Sequence, residues 1–332
     1  VVCFAHLHFA RSVSFRKALE SAAQKCRVLD HPGIVRLVDS GVVMTRAGAV
    51  PFVVSEQFEG RSLGEIMRSR GLLPTDKLSG FAVQVLDALA EIHLHGLVHG
   101  DLKPENIVIG TSDDGEIRAR VTGTCVARVA SRALSRICTE GSLLGTPVYA
   151  APESHDDARL EPSADLYSLG AILYEQVTGR LPFESPSAVD TARLHAQLVP
   201  IRPSLRNTSR PIGAAFDALI MRSLSKLPSD RFRSAAEMKR HMLGARDEAE
   251  SLIATLDKSA PIDAVRALSG PRAAARAGTR TAFRSVGREQ IIETLRSVAL
   301  APVERIGGTG KVAILLGEAG MGKSAIIDDL CD

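Results

Sequence analysis

"HGDLKPEN", His99 to Asn106, is the stretch on which the reading of this 332-residue chain turns. Moving a phosphoryl group onto a hydroxyl requires a carboxylate to orient the nucleophile, a cation beside the travelling phosphate and ligands for Mg²⁺. Asp101, Lys103 and Asn106 offer all three on one short loop. Upstream, Leu78, Phe81, Ala82, Val85, Leu86, Leu89 and Ile92 recur at helical spacing from Thr75 onward, and Gly96 supplies a stop. The spacing predicts a long amphipathic helix that delivers the chain into the loop. Downstream, "DDGE" at 113 to 116 predicts a hairpin turn between two short strands.

Farther out, the pattern predicts a helix from Ser14 to Leu29, a turn and strand in "HPGIVRLVDSG", and a second strand in "PFVVSEQF" at 51 to 58. Residues 130 to 150 lose all periodicity, as a long functional loop does. "SADLYSLGAILYEQVTG" at 163 to 179 predicts a capped helix, apolar nearly all round and therefore buried at the centre of a helical subdomain. More helices follow to about residue 245. Residues 246 to 280 turn Ala- and Arg-rich and predict a connector, with the run at 272 to 280 a solvated linker rather than a nucleic-acid patch. A new unit is expected over 281 to 332.

Composition narrows the function classes. With 45% hydrophobic and 24% charged residues the chain has the make-up of an ordinary globular protein. A net charge of +3, with no basic block interleaved with aromatics, argues against nucleic acid or a membrane surface as partner. Apolar runs such as "VAILL" at 312 to 316 are too short to span a bilayer. The five cysteines lie far apart without metal-ligand spacing, so reduced thiols in a cytoplasmic protein are expected. His6, His8, His93 and His95 lack spaced Cys or carboxylate partners and read as surface and helix-end decoration. The chain opens on "VVCFAHL" and closes on "DDLCD" in mid-pattern, which predicts a piece of a longer protein.

These motifs resemble the protein kinase family, bacterial Ser/Thr type, over residues 1 to 245. The resemblance implies an α+β two-lobed protein kinase-like fold with the front of its N-lobe missing, the N-lobe remnant at 1 to 56 and the C-lobe at 57 to 245. "FVVSEQFEGRSL" is similar to the family's hinge, with Ser55 in the gatekeeper place. "GTPVYAAPE" at 145 to 153 is similar to the end of the activation segment, which implies that Thr146 meets Asp101 and Lys103. In "DLYSLG" the resemblance implies that Asp165 holds the backbone of the catalytic loop, and in "DRF" that Arg231 pairs with Glu153. ATP and Mg²⁺ are the implied cofactors, and a protein substrate or partner is the implied target.

The departures from the family are specific. Its Mg²⁺-binding D-F-G falls on Gly123, Thr124 and Cys125 within "VTGTCVARV", and no Asp occurs from Gly115 to His155. Asp113 and Asp114 are explained by turn chemistry. The strand lysine falls near Phe4 and its glutamate partner near Ala22, with Glu20 two residues and about 200° away round a helix. Lys17 and Lys25 fall on the predicted helix. Gly100 stands where the family carries an Arg that meets an activation-loop phosphate. Losing the metal carboxylate forfeits several kcal/mol of transition-state stabilisation, or a rate loss on the order of a thousandfold.

A second motif, "GEAGMGKS" at 317 to 324, follows the strand-like "KVAILL" and precedes the helix-like "AIIDDL". In such a phosphate loop Gly317 and Gly322 let the backbone wrap the phosphates, Lys323 neutralises them and Ser324 holds Mg²⁺. With "FRSVGREQIIETL" upstream, it resembles the first strand-loop-helix of an AAA- or STAND-type P-loop ATPase. Two readings therefore stand for the first unit. One is an ATP-dependent Ser/Thr kinase using Asp101, Lys103 and Asn106; the other is a pseudokinase that acts as a regulatory or interaction domain.

Overall fold

The computed structural model describes residues 1–4, 12–45, 48–111, 116–124, 129, 148–155, 160–206 and 212–246. The chain divides into a unit Val1–Ala260 and a unit Pro261–Asp332. The second unit, with Gly317, Gly322, Lys323 and Ser324, lies outside the described residues, as do Thr146, Asp113, Asp114 and Cys125.

The first unit begins with a three-stranded antiparallel sheet. β1 (Val2–Phe4) and β2 (Leu37–Thr45) flank β3 (Gly48–Ser55) in the order β1-β3-β2. The strand expected from Pro51 starts three residues earlier, as the second arm of a hairpin in which Thr45 faces Gly48. Pro51 has no N–H to give to a ladder, yet it sits in the central strand. It faces Val42 of β2, while the described residues of β1 pair with Phe52, Val53 and Val54. Helix α1 (Val13–Cys26) is capped by the Ser12 hydroxyl, which accepts from the Phe15 N–H at 3.2 Å, and it buries Phe15, Leu19, Ala23 and Cys26. It ends three residues short of the predicted Leu29.

A second antiparallel sheet, β4 (Arg61–Ser62), β5 (Ile107–Thr111) and β6 (Ile117–Val121), carries the predicted hairpin, with Thr111 opposite Ile117. Between β4 and β5 run α2 (Leu63–Arg70), closed by a Ser62–Glu65 capping box, and the long α3 (Thr75–Leu94). The apolar stripe read from the sequence is the buried face of α3. Gln84 on this helix satisfies the open edge of β6: its Nε2 donates to Ile117 O and its Oε1 accepts from Ala119 N, both at 2.9 Å.

The remaining helices are α4 (Pro162–Thr178), α5 (Ala188–Gln197), α6 (Pro203–Arg206), α7 (Ala214–Ser223) and α8 over residues 235–246. All but two of the 17 residues of α4 are buried, as its composition predicts. The expected side-chain cap is absent. Pro162 opens the helix at a position where no N–H is needed, Glu161 makes no capping bond, and Gly179 ends the helix at φ +70°.

Candidate functional site

The loop His99–Asn106 is held from below by Asp165, in the first turn of α4. Asp165 is 1% exposed, and its two oxygens accept from the backbone N–H groups of His99 and Gly100, both at 2.8 Å. The same carboxylate meets His93 Nε2 at 2.9 Å. Burial pushes the Asp165 carboxyl upward, but the hydrogen bond and charge of His93, with the Gly100 N–H, hold it below its ordinary value. His93 is thus no decoration, contrary to the reading of its sequence position. It falls four residues after Leu89 and one after Ile92, on the buried face of α3, and that phase is the signal that could have found it.

Gly100 sits at φ +76°, a conformation that side chains other than Gly, Asn and Asp adopt rarely. The bend lets the loop present both N–H groups to Asp165 and then send Asp101 the other way. His99 is fully buried, and its Nδ1 accepts from the Asp101 N–H at 3.3 Å. Its Nε2 therefore carries the proton donated to Thr122 O at 3.0 Å. Asp101, Lys103 and Asn106 are brought together: Lys103 Nζ lies 2.8 Å from Asp101 Oδ2, and Asn106 Nδ2 donates to Asp101 O at 2.6 Å. This is a preorganised cluster of a carboxylate, an ammonium and an amide, all partly exposed.

The strand beside it runs out in Val121, Thr122, Gly123 and Thr124, none of them a carboxylate. Thr122 N donates to Asn106 O at 2.9 Å, so the next residue, Gly123 at φ +76°, is the one offered to the loop's neighbourhood, and it has no side chain. Thr124 follows at 6% exposure with its hydroxyl unpartnered among the described residues, while its carbonyl accepts from the Cys26 thiol at 3.2 Å. Of the nearby acids, Glu105 pairs with Arg68 at 3.4 Å and Glu116 with Lys77 at 2.9 Å. Phe4 lies in β1 opposite Phe52; Glu20, Lys17 and Lys25 are exposed on α1, and Ala22 is half-buried there. Among the described residues no group of three His, Cys, Asp or Glu could hold a metal.

Arg231 and Glu153 form the second brought-together pair. The guanidinium is 1% exposed and meets Glu153 through two bonds, of 2.6 and 2.8 Å. Its remaining N–H groups donate to the carbonyls of Ser225, Ser163 and Lys226. The protein kinase domain model matches residues 11–243. The chain belongs to the protein kinase family.

Serine/threonine-protein kinase PknB of Mycobacterium tuberculosis is 31% identical over 268 residues, which are 79% of this chain and 42% of that protein. Serine/threonine-protein kinase PksC of Streptomyces coelicolor is 34% identical over 238 residues, again 42% of its length. This kinase-family chain thus spans about two fifths of those relatives. The crystal structure of the M. tuberculosis PknI kinase domain shares the fold, with a TM-score of 0.57 at 22% identity over 74% of this chain and 84% of that one. The crystal structure of Rad53 1-466 in complex with AMP-PNP shares it as well, at a TM-score of 0.54 and 24% identity over 68% of this chain and 54% of that one. No helix among the described residues is long and apolar enough to cross a membrane.

Proposed function

We propose that the kinase-like unit has lost metal-dependent phosphotransfer and serves as a regulatory, partner-binding module of a larger signalling protein. The observation that carries this reading is Gly123. It follows directly on the residue tied to Asn106, where a kinase needs a carboxylate, and it supplies none. The residues do not fit a Mg²⁺ ion there. Asn106 spends its amide on the Asp101 carbonyl, and its oxygen is a neutral ligand that cannot replace the missing charge. ATP is the nucleotide that the family implies. Under this reading the Mg²⁺–ATP site is the P-loop of the second unit, where Lys323 and Ser324 are the residues proposed to hold phosphate and metal.

The runner-up, an active Ser/Thr protein kinase, is favoured by the intact contacts among Asp101, Lys103 and Asn106. A full-length protein carrying Lys323→Ala isolates the first unit. Radiolabel transfer from ATP at background level, with thermal stability indifferent to Mg²⁺–ATP, is the expected result. Transfer that vanishes in Asp101→Ala would overturn the pseudokinase reading.

A further inference from the structure

A groove of about 570 Å³ lies on the side of the helical lobe between the first turns of α3 and the start of α7. Its accessible apolar lining is the half-buried Ile117, Ile212 and Phe216, over the buried Leu78 and Phe81, and Ala245 also borders it. Two glycines leave it open, for a Cβ at Gly80 or at Gly213 would meet nothing within 4 Å. Ser79 also lines it, and its buried hydroxyl has no partner among the described residues.

Helix α8 reaches this groove with a regular apolar stripe. Ala235, Met238, Met242 and Ala245 are all buried, at alternating steps of three and four. The same steps continue in the sequence to Ala249, Leu252 and Leu256, with Ile253 beside them, while Asp247, Glu248 and Glu250 fall between. The first helix-breaking residue after the stripe is Pro261, where the second unit begins.

We infer that residues 247–257 occupy the groove, laying Leu252 and Leu256 on its apolar lining. The occupant is chosen by tethering. Leu252 is only six positions past Arg246, which itself lines the groove, and a short tether gives an effective concentration in the millimolar range, above that of any free partner. The docked segment would fix where the chain leaves the kinase-like unit on its way to the P-loop, whether or not the cleft transfers phosphate.

The test places a photoreactive residue in the open space, Gly213→p-benzoylphenylalanine in the full-length chain. Irradiation should give an intrachain adduct at monomer mass that maps to residues 247–257. Leu252→Glu with Leu256→Glu should reduce the adduct at least tenfold while the amides of α4 keep their exchange protection. If that pair unfolds the chain, Leu252→Ser carries the comparison. Adducts mapping elsewhere, adducts at dimer mass, which would make a second copy the occupant, or no adduct at all would overturn the inference.

Discussion

Replacing Glu153 by Gln leaves a buried guanidinium without its counter-charge. Arg231 is 1% exposed, and each of its five N–H groups has an acceptor: two carboxylate oxygens of Glu153 and the carbonyls of Ser163, Ser225 and Lys226. Its Cζ also lies 4.8 Å from the centroid of the Tyr167 ring. Breaking a buried pair by removing one partner costs about 3–5 kcal/mol. Glu153 keeps 23% of its side chain exposed, which places Glu153→Gln toward the lower end. At about 2–4 °C per kcal/mol for a domain of this size, the melting temperature should fall by about 6–12 °C.

Arg231→Lys keeps the charge but offers three donors to five acceptors, so two buried acceptors lose a partner at about 1–3 kcal/mol each. The double change Glu153→Leu with Arg231→Met removes the whole pair and should cost less than the two single changes added together. Urea unfolding followed by circular dichroism, with the slope m unchanged, reads all of these values. A cost below about 1 kcal/mol for Glu153→Gln, or strict additivity in the double variant, would refute the account of the pair as a buried, mutually dependent unit.

Asp165→Asn tests the carboxylate under the loop. Its folded-state value is depressed, so its stabilisation is complete above the ordinary 3.8 and is lost as the pH falls through the lower folded value. The variant should therefore be less stable at neutral pH and show a flatter acid-unfolding slope below 3.8; an unchanged slope would refute the assignment. Gly123→Asp, in the Lys323→Ala background, restores a carboxylate at a φ of +76° that Asp tolerates better than most residues. ATP at a hundredfold excess over its Kd should then stabilise by about 2.7 kcal/mol, and only with Mg²⁺ present. Gly170→Ala puts a Cβ 2.5 Å from that of Ser223, so about 1–3 kcal/mol of overpacking should outweigh a helix-propensity gain of about 1 kcal/mol in urea unfolding.

Much of this site was legible because its residues sit on periodic elements or in one contiguous motif. The stripe from Leu78 to Ile92 phased α3, and α3 delivers the chain to a loop whose three polar side chains are neighbours in sequence. Arg231 and Glu153 are far apart in the chain, and only the family resemblance put them together. His93 was missed because a lone histidine near a helix end gives no sign of its partner, which lies 72 positions away. The cap expected for the 163–179 helix is absent because Pro162 sets the start of α4.

Among the described residues the two sheets of the first unit are joined at two places. One is the covalent run from Ser55 to Arg61. The other is a seam in which Val121 N donates to Gly33 O, Val35 N donates to Val121 O, and Cys26 reaches Thr124. Glu56 bridges the two, accepting from Arg36 N and from Arg120. A panel hung from one point can swing and twist in any direction, whereas one hung from two can turn only about the line that joins them. The two sheets are thus held against free twisting, and a partner that grips both would lock what turning remains without touching the loop.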